Sequence, residues 1–475
     1  MKDSLVALDE FTYTLAKTGS MLVDAKIFSS EELLALVEEE AVVQVSNAAT
    51  LPGACGCSVA MPDMHMGYGF CVGGVSAYRV DGGVVSPGAI GFDINCGIRV
   101  LASNLVEEQV IPLIDELLSL LASRIPAGVG KKSSLTLSRE EMKEVLLRGA
   151  TWAVDNGFGV EDDVLRCEEQ GCFSGAAPAS LSQKAFSRGF SQLGTLGAGN
   201  HFLEVQVVEE IYDESLASAF GFSAPGQVVV MIHCGSRGVG HQICTDYLRR
   251  IEQEAPEIMA SLSERNLAYM PLGSSLATEY LGAMRAAANF AFCNRQVIAH
   301  QTRKAFARLF PRSKLSAVYD VAHNIAKQET HVVDGKQVEV LVHRKGATRA
   351  FPAGHSAIGS VYRDTGHPVL IPGSMGTSSY VLVGTQKAML ESFGSSAHGA
   401  GRLMSRTQAK KEFVGSEVKS SLAKRNISVH AESVKGVAEE APGVYKDIDE
   451  VIRVTVGAGL ALPVVKLRPL GVVKG

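Results

Sequence analysis

The chain has no stretch approaching 18 uninterrupted apolar residues, and its start, MKDSLVALDEF, lacks the basic-then-apolar order of a secretory leader. The first absence argues against a membrane-spanning helix, and the second sets the expectation of a soluble, unexported, cytoplasmic protein. Positive charge is not in excess either: 45 Lys and Arg against 50 Asp and Glu leave a net charge of −5. A polyanionic partner would have to be met by a local patch, not by the whole surface. With 46% hydrophobic and only 20% charged residues, the composition excludes disorder, collagen and coiled coil. No internal repeat, linker or low-complexity tract interrupts the sequence, and neither GxxxxGK[ST] nor a GxGxxG after a strand occurs, so P-loop and dinucleotide binding are unsupported.

Disulfides are not expected, because nine cysteines in a long chain without a leader are reduced core residues or ligands. Cys55 with Cys57, or Cys167 with Cys172, could start a zinc knuckle, but the first spacing is too short and the second has no partner hook. What the chain has in quantity is glycine, 48 of 475 residues. Length alone would suggest about three domains, although a single glycine-rich body can reach this size.

The elements read as follows. Residues 29–46 have helical spacing with Ser29 or Ser30 as cap. From about Ala49 to Asn104, Gly, Pro and short apolar runs predict strands and tight turns. Residues 106–192 read as mostly helical, with Ser138 and Glu141 forming a capping box. HFLEVQVVEEIY and GQVVVMI read as strands, 277–310 as one long helix, and KLSAVYDVAH, KQVEVLVH, HPVLIPG, SSYVLVG and VTVGAGLALPVVKL as strand-like. Two segments, Gln301 to Tyr319 and Gly401 to Arg425, each carry a local charge of +5. Such segments are ordinarily solvated faces unless phosphate chemistry lies beside them.

That chemistry is suggested by Asp93 and Cys96 in AIGFDINCG, His201 in GAGNHFLEV, His233 in VVVMIHCGS and His323 in AVYDVAHN. A single histidine of this kind is ordinarily a satisfied core or turn residue. Five potential ligands, each in or beside a short apolar run with Gly or Asn close by, could converge at one sheet edge and hold two divalent ions with Cys96 bridging. Two ions side by side suit phosphoryl chemistry, and by ligand type zinc is as plausible as manganese. GTLGAGN, PGSMGTSS and SSAHGAGR could cradle phosphates with backbone N–H groups. His398, in the last of these, is a candidate nucleophile.

The blocks MPDMHMGYGF, SPGAIGFDINCGIR, LGAGNHFLEV, HCGSRGVGHQ, AHNIAK, HRKGATRAFPAG, IPGSMGTSSYVLVG, SSAHGAGRLMSR and KLRPLGVVKG, in this order from Met61 to Gly475, closely resemble the RtcB family of RNA-splicing ligases. Met64 and Met66 stand where Val and Trp are frequent, and Asn95 where Gly is often found. The resemblance implies one compact α+β body over residues 1–475, with mixed sheets and peripheral helices. It implies a ligase, dependent on GTP and manganese, that joins an RNA 3′-phosphate or 2′,3′-cyclic phosphate to a 5′-hydroxyl in tRNA splicing or RNA repair. Asp93, Cys96, His201, His233 and His323 would bind two Mn²⁺, and His398 would become guanylylated. Asn200, His201, Phe202, Leu203, Glu204, His323, Asn324, Pro372, Gly373, Ser374, Met375, Ser379, Gly399, Ala400, Gly401 and Lys474 would surround the nucleotide, with Glu204 and Lys474 reading guanine. The partners would be RNA and no membrane, and whether an archease-like activator is required stays open. The same ligands would also serve a binuclear phosphoesterase; the loop nucleophile and guanine pocket distinguish the two.

Overall fold

The computed structural model describes all 475 residues. Two large mixed sheets dominate it. In the first, seven strands lie in the order Val6–Asp9, Thr12–Leu15, Asp24–Phe28, Cys57–His65, Val72–Arg79, Lys336–Lys345, Asn324–Val333. In the second, the order is Leu315–Ala322, Gly97–Val106, Gln227–Cys234, Phe202–Ile211, Ala461–Lys474, Ser379–Gly384, Pro368–Ile371, with Ser428–Ala431 parallel to the end of Ala461–Lys474. The central runs are Val- and Ile-rich because both their faces are buried: every residue of Gln227–Cys234 is. No helix is long and apolar enough to cross a membrane.

Register positions the site. Gly97 lies opposite both Ala322 and Cys234, His233 opposite Phe202, and Phe202 opposite Lys474. One end of the second sheet therefore gathers His233 and Lys474 from two strands, and Cys96, His201 and His323 from positions one residue beyond the ends of three more. His323 is also the hinge between sheets, since the strand ending at Ala322 belongs to the second and the strand starting at Asn324 to the first. A short ladder, Ala347–Arg349 with Ser395–Ala397, brings His398 to the same place.

Helices cover the outside. Ser275–Leu309 is a single 35-residue helix whose Ser274 hydroxyl accepts from the Ala277 N–H. Its buried alanines, among them Ala283, Ala286 and Ala287, let it pack closely on Arg139–Asp155. Between residues 106 and 192 the chain forms Glu107–Val110, Ile114–Arg124, Arg139–Asp155, Glu161–Leu165 and Gln183–Gly189 without a strand. Ser138 and Glu141 form the reciprocal capping box.

The structure corrects two readings. The helix over 29–46 breaks into Glu31–Leu36 and Glu39–Ala48, because Val37 turns into the core and Glu38 accepts from the Met66 N–H; Ser30, not Ser29, is the cap. VTVG belongs to the helix Ile448–Gly457, and the strand begins only at Ala461. The basic segment 301–319 ends its helix at the far side of the second sheet: Leu315 lies opposite Ser103, six strand residues or roughly 20 Å from Gly97.

Candidate active site

The ligand atoms meet in two groups of three, Asp93, Cys96 and His201, and Cys96, His233 and His323, which share Cys96. His201 Nε2 is 2.7 Å from Asp93 Oδ2 and 3.3 Å from Cys96 Sγ, while His233 Nε2 is 3.2 Å from the same sulfur and 3.4 Å from His323 Nε2. His201 Nδ1 lies 3.0 Å from the Leu196 carbonyl and Nε2 faces the Asp93 carboxylate; against burial, the neighbouring cysteines and Asp93 raise this imidazole well above the usual histidine range, so Nε2 holds a proton that a metal ion would displace. Donor atoms facing one another in a buried site are relieved by a cation. In the second group, burial and neighbouring imidazoles push His233 and His323 well below the usual histidine range, which keeps them neutral and able to ligate. Burial and the Asp93 carboxylate push the Cys96 thiol up to about 12, so a thiolate here needs a positive ion beside it. Against burial, His201 and Arg237 hold Asp93 well below the usual carboxylate range. Gly235 allows this proximity, since a Cβ there would stand 2.3 Å from the Asp93 carboxylate.

His398 stands next to this cluster, its ring edge-on to His323 with centroids 4.8 Å apart. Its Nδ1 is 2.5 Å from Oδ2 of the fully buried Asp63, which also accepts from the backbone N–H groups of His398 and Gly399. The Nδ1–H is thereby fixed, and Nε2 carries the free lone pair. Gly346, at φ +62°, clears the space: a Cβ there would meet His398 Cε1 at 2.9 Å.

A pocket of about 440 Å³ opens between the sheets against His233, His323 and His398. Asn200, Phe202, Glu204, Asn324, Pro372–Met375, Gly399–Gly401 and Lys474 all line it. Lys474 is 3% exposed and its Nζ lies over the Phe202 ring at 5.9 Å.

The sequence model of the family described as tRNA-splicing ligase RtcB matches residues 44–475. The tRNA-splicing ligase RtcB of Archaeoglobus fulgidus is 49% identical over the full length of both chains, and that of Thermococcus kodakarensis 48% identical over 99% of each. That of Methanococcus maripaludis is 47% identical, again over both whole chains. The chain belongs to the RtcB family.

Within this RtcB-family body, three of the expected nucleotide residues do not line the pocket, and one of them, His201, is turned instead to Asp93 and Cys96. Leu203 alternates with Phe202 and Glu204 on its strand and packs in the opposite core. The fully buried Ser379 hydroxyl accepts from Gln206 Nε2 and from the Gly373 N–H, so it braces the 372–375 loop from behind. Asn324 braces too: its Oδ1 accepts from the Gly346 N–H and its Nδ2 donates to the Asp93 carbonyl, leaving one N–H for the pocket. Lys474 is nearest not to Glu204 but to Glu440, at 4.0 Å, a buried carboxylate that also receives Arg402 at 3.1 Å and Arg406 at 3.3 Å. Burial lowers the Lys474 ammonium and raises the Glu204 carboxyl to about 8. Sequence reasoning missed Asp63 and Glu440. Asp63 stood inside a recognised block, MPDMHMGYGF, without a role; Glu440 lies in an unremarkable GVAEEAPG with no local signal. The cysteine pairs considered for zinc stay apart from both ligand groups.

Proposed function

We propose that this RNA ligase joins RNA 3′-phosphate ends to 5′-hydroxyl ends with GTP as cosubstrate, and opens 2′,3′-cyclic phosphate ends with water beforehand. The observation that carries the reading is the His398–Asp63 pair, a histidine with a free Nε2 opening on a nucleotide-sized pocket beside a ligand cluster. Nε2 attacks the α-phosphorus of GTP, the bond to the β-phosphate oxygen breaks, and pyrophosphate leaves. An oxygen of the RNA 3′-phosphate then displaces the imidazole, giving RNA-ppG. The 5′-hydroxyl attacks the RNA 3′-phosphorus and GMP departs. Asp63 holds the ring and stabilises its positive charge as the P–N bond forms.

Asp93, Cys96 and His201 would hold one Mn²⁺ and Cys96, His233 and His323 a second, which when bound would neutralise charge on phosphate oxygens. Asn200 and the Gly399–Gly401 and Pro372–Met375 backbones line the phosphate side, while Phe202, Glu204 and Lys474 frame the base. Lys474 donates to guanine O6, and Glu204 accepts from N1–H and N2–H₂, which adenine lacks. The substrate is either tRNA halves, as the relatives' name has it, or broken RNA. Nine free thiols fit a reducing cytoplasm.

Labelling with GTP carrying radioactive α-phosphate tests the reading. Wild type takes up label, His398→Ala takes none, and His398→Ala still seals pre-made RNA-ppG to a 5′-hydroxyl. Label on the folded His398→Ala protein, or failure to seal, removes His398 as the nucleophile.

A further inference from the structure

A second concavity adjoins the central pocket, and none of the steps above uses it. Phe92 is the wall between them: it lines the pocket that contains His398 and also a groove of about 400 Å³ with Tyr68, Leu248, Arg249, Met259 and Arg265. The Tyr68 and Phe92 rings meet edge to face, centroids 5.0 Å apart. Tyr68 is 43% exposed although it belongs to an aromatic cluster, and Met66, two residues away at the mouth of the central pocket, is 51% exposed. Cations are available at the same place. Arg250 is held by Glu254 and Glu279, and Arg265 reaches Glu252 at 3.6 Å, but the exposed Arg249 between them forms no ion pair.

An exposed aromatic face, apolar side chains and an unpaired guanidinium together are what an unstacked nucleotide recognises. Its base stacks on rings and its phosphate takes the cation, whatever the base. Because Phe92 lines both concavities, a base against its groove side lies next to the pocket that holds His233, His323 and His398. We propose that this groove is a subsite for one unpaired nucleotide of the RNA strand adjoining the reacting end, its base stacked on the exposed Tyr68 ring and edge-on to Phe92, with a phosphate on Arg249. The proposal rests on the RNA-ligase reading and adds where the strand runs.

The test compares wild type, Tyr68→Ala, Tyr68→Phe and Arg249→Ala in joining two short oligoribonucleotides, one ending in a 3′-phosphate and one beginning with a 5′-hydroxyl. GTP labelling without RNA is the control for a folded catalytic centre. Tyr68→Ala should raise KM for one of the two strands about tenfold or more, Tyr68→Phe should restore it, and Arg249→Ala should raise it with a weaker dependence on salt. A 4-thiouridine next to the reacting end should crosslink to Tyr68 from that same strand, which tells the 3′ strand from the 5′ strand. Unchanged KM for both strands in both alanine variants, or crosslinks that avoid the groove from both strands, would overturn the subsite. Those results with wild type labelling and ligating normally defeat the groove alone. A wild type that neither labels nor ligates defeats the ligase reading beneath it.

Discussion

Cys96 is the residue on which both ligand groups depend, its sulfur lying within 3.3 Å of His201 and 3.2 Å of His233. Cys96→Ala is therefore expected to lose both metal ions, and His323→Ala mainly one, as read by metal content per chain. A Cys96→Ala protein retaining two Mn²⁺ with normal affinity contradicts the shared ligand. Glu204 gives a pH signature. Burial raises its carboxyl to about 8, above the ordinary 4.5, so the fold keeps a proton that the unfolded chain has released. Its stabilising effect is complete below pH 4.5 and is lost as pH rises toward 8. Glu204→Gln should flatten the fall of Tm over that window. Because accepting the guanine N–H groups requires the carboxylate, GTP binding near pH 7 should release protons from wild type and fewer from Glu204→Gln. Titration calorimetry in buffers of different ionisation heat measures the difference, and equal release would remove Glu204 from the guanine site.

At the scale of elements, the last strand carries the clearest consequence. Ala461–Lys474 pairs on one side with Phe202–Ile211 and on the other with Ser379–Gly384 and Ser428–Ala431, so most of its ladder survives loss of the final two residues. Deleting Lys474 and Gly475 should lower Tm by only about one degree for each kcal/mol lost in a chain of this size, while GTP labelling falls at least tenfold. Labelling equal to that of the full-length chain would show that Lys474 takes no part in nucleotide binding. The helix Ser275–Leu309 acts at the same scale from the opposite side. Its fully buried Arg295 donates to the Asn95 and Cys234 carbonyls at 2.8 Å and pairs with Asp320. It thus ties the turn before Cys96 to the strand that carries His233. Asn95 takes φ +53° in that turn, a conformation Asn tolerates better than most side chains, which accounts for its standing where glycine is frequent.

For the molecule as a whole, a net charge of −5 leaves RNA to local cations, and the two basic segments do not contribute alike. The 401–425 segment starts inside the pocket, where Arg402 and Arg406 pair with Glu440, and Lys410 pairs with Glu439 nearby. The 301–319 segment lies at the other end of the second sheet, and its Arg303 is occupied by Asp163. Replacing Lys304, Arg308 and Arg312 by glutamine should leave the KM for short RNA strands unchanged at moderate salt. A rise would mean that the strand reaches the far end of the sheet.

Local chemistry was legible in the sequence wherever it depends on neighbours along the chain. Ser274 and Ser138 cap their helices within one turn, alternation marks Phe202–Ile211 as a strand, and short glycine-rich blocks around Asp93, Cys96, His201, His233, His323 and His398 announce the family. The break at Val37 and Glu38 was not legible, because it is set by a core contact and by Met66, which lies 28 residues beyond Glu38. The pairing of Asp63 with His398 spans 335 residues, and that of Glu440 with Lys474 is made only when the last strand closes the sheet. Leu203 and Ser379 face away from the pocket for a related reason: side-chain direction follows from strand register, which pairing fixes. The sequence by itself determined which chemical groups the protein owns and which local elements carry them. The folded sheets decided which of those groups meet, because burial and distance are properties of the packed chain.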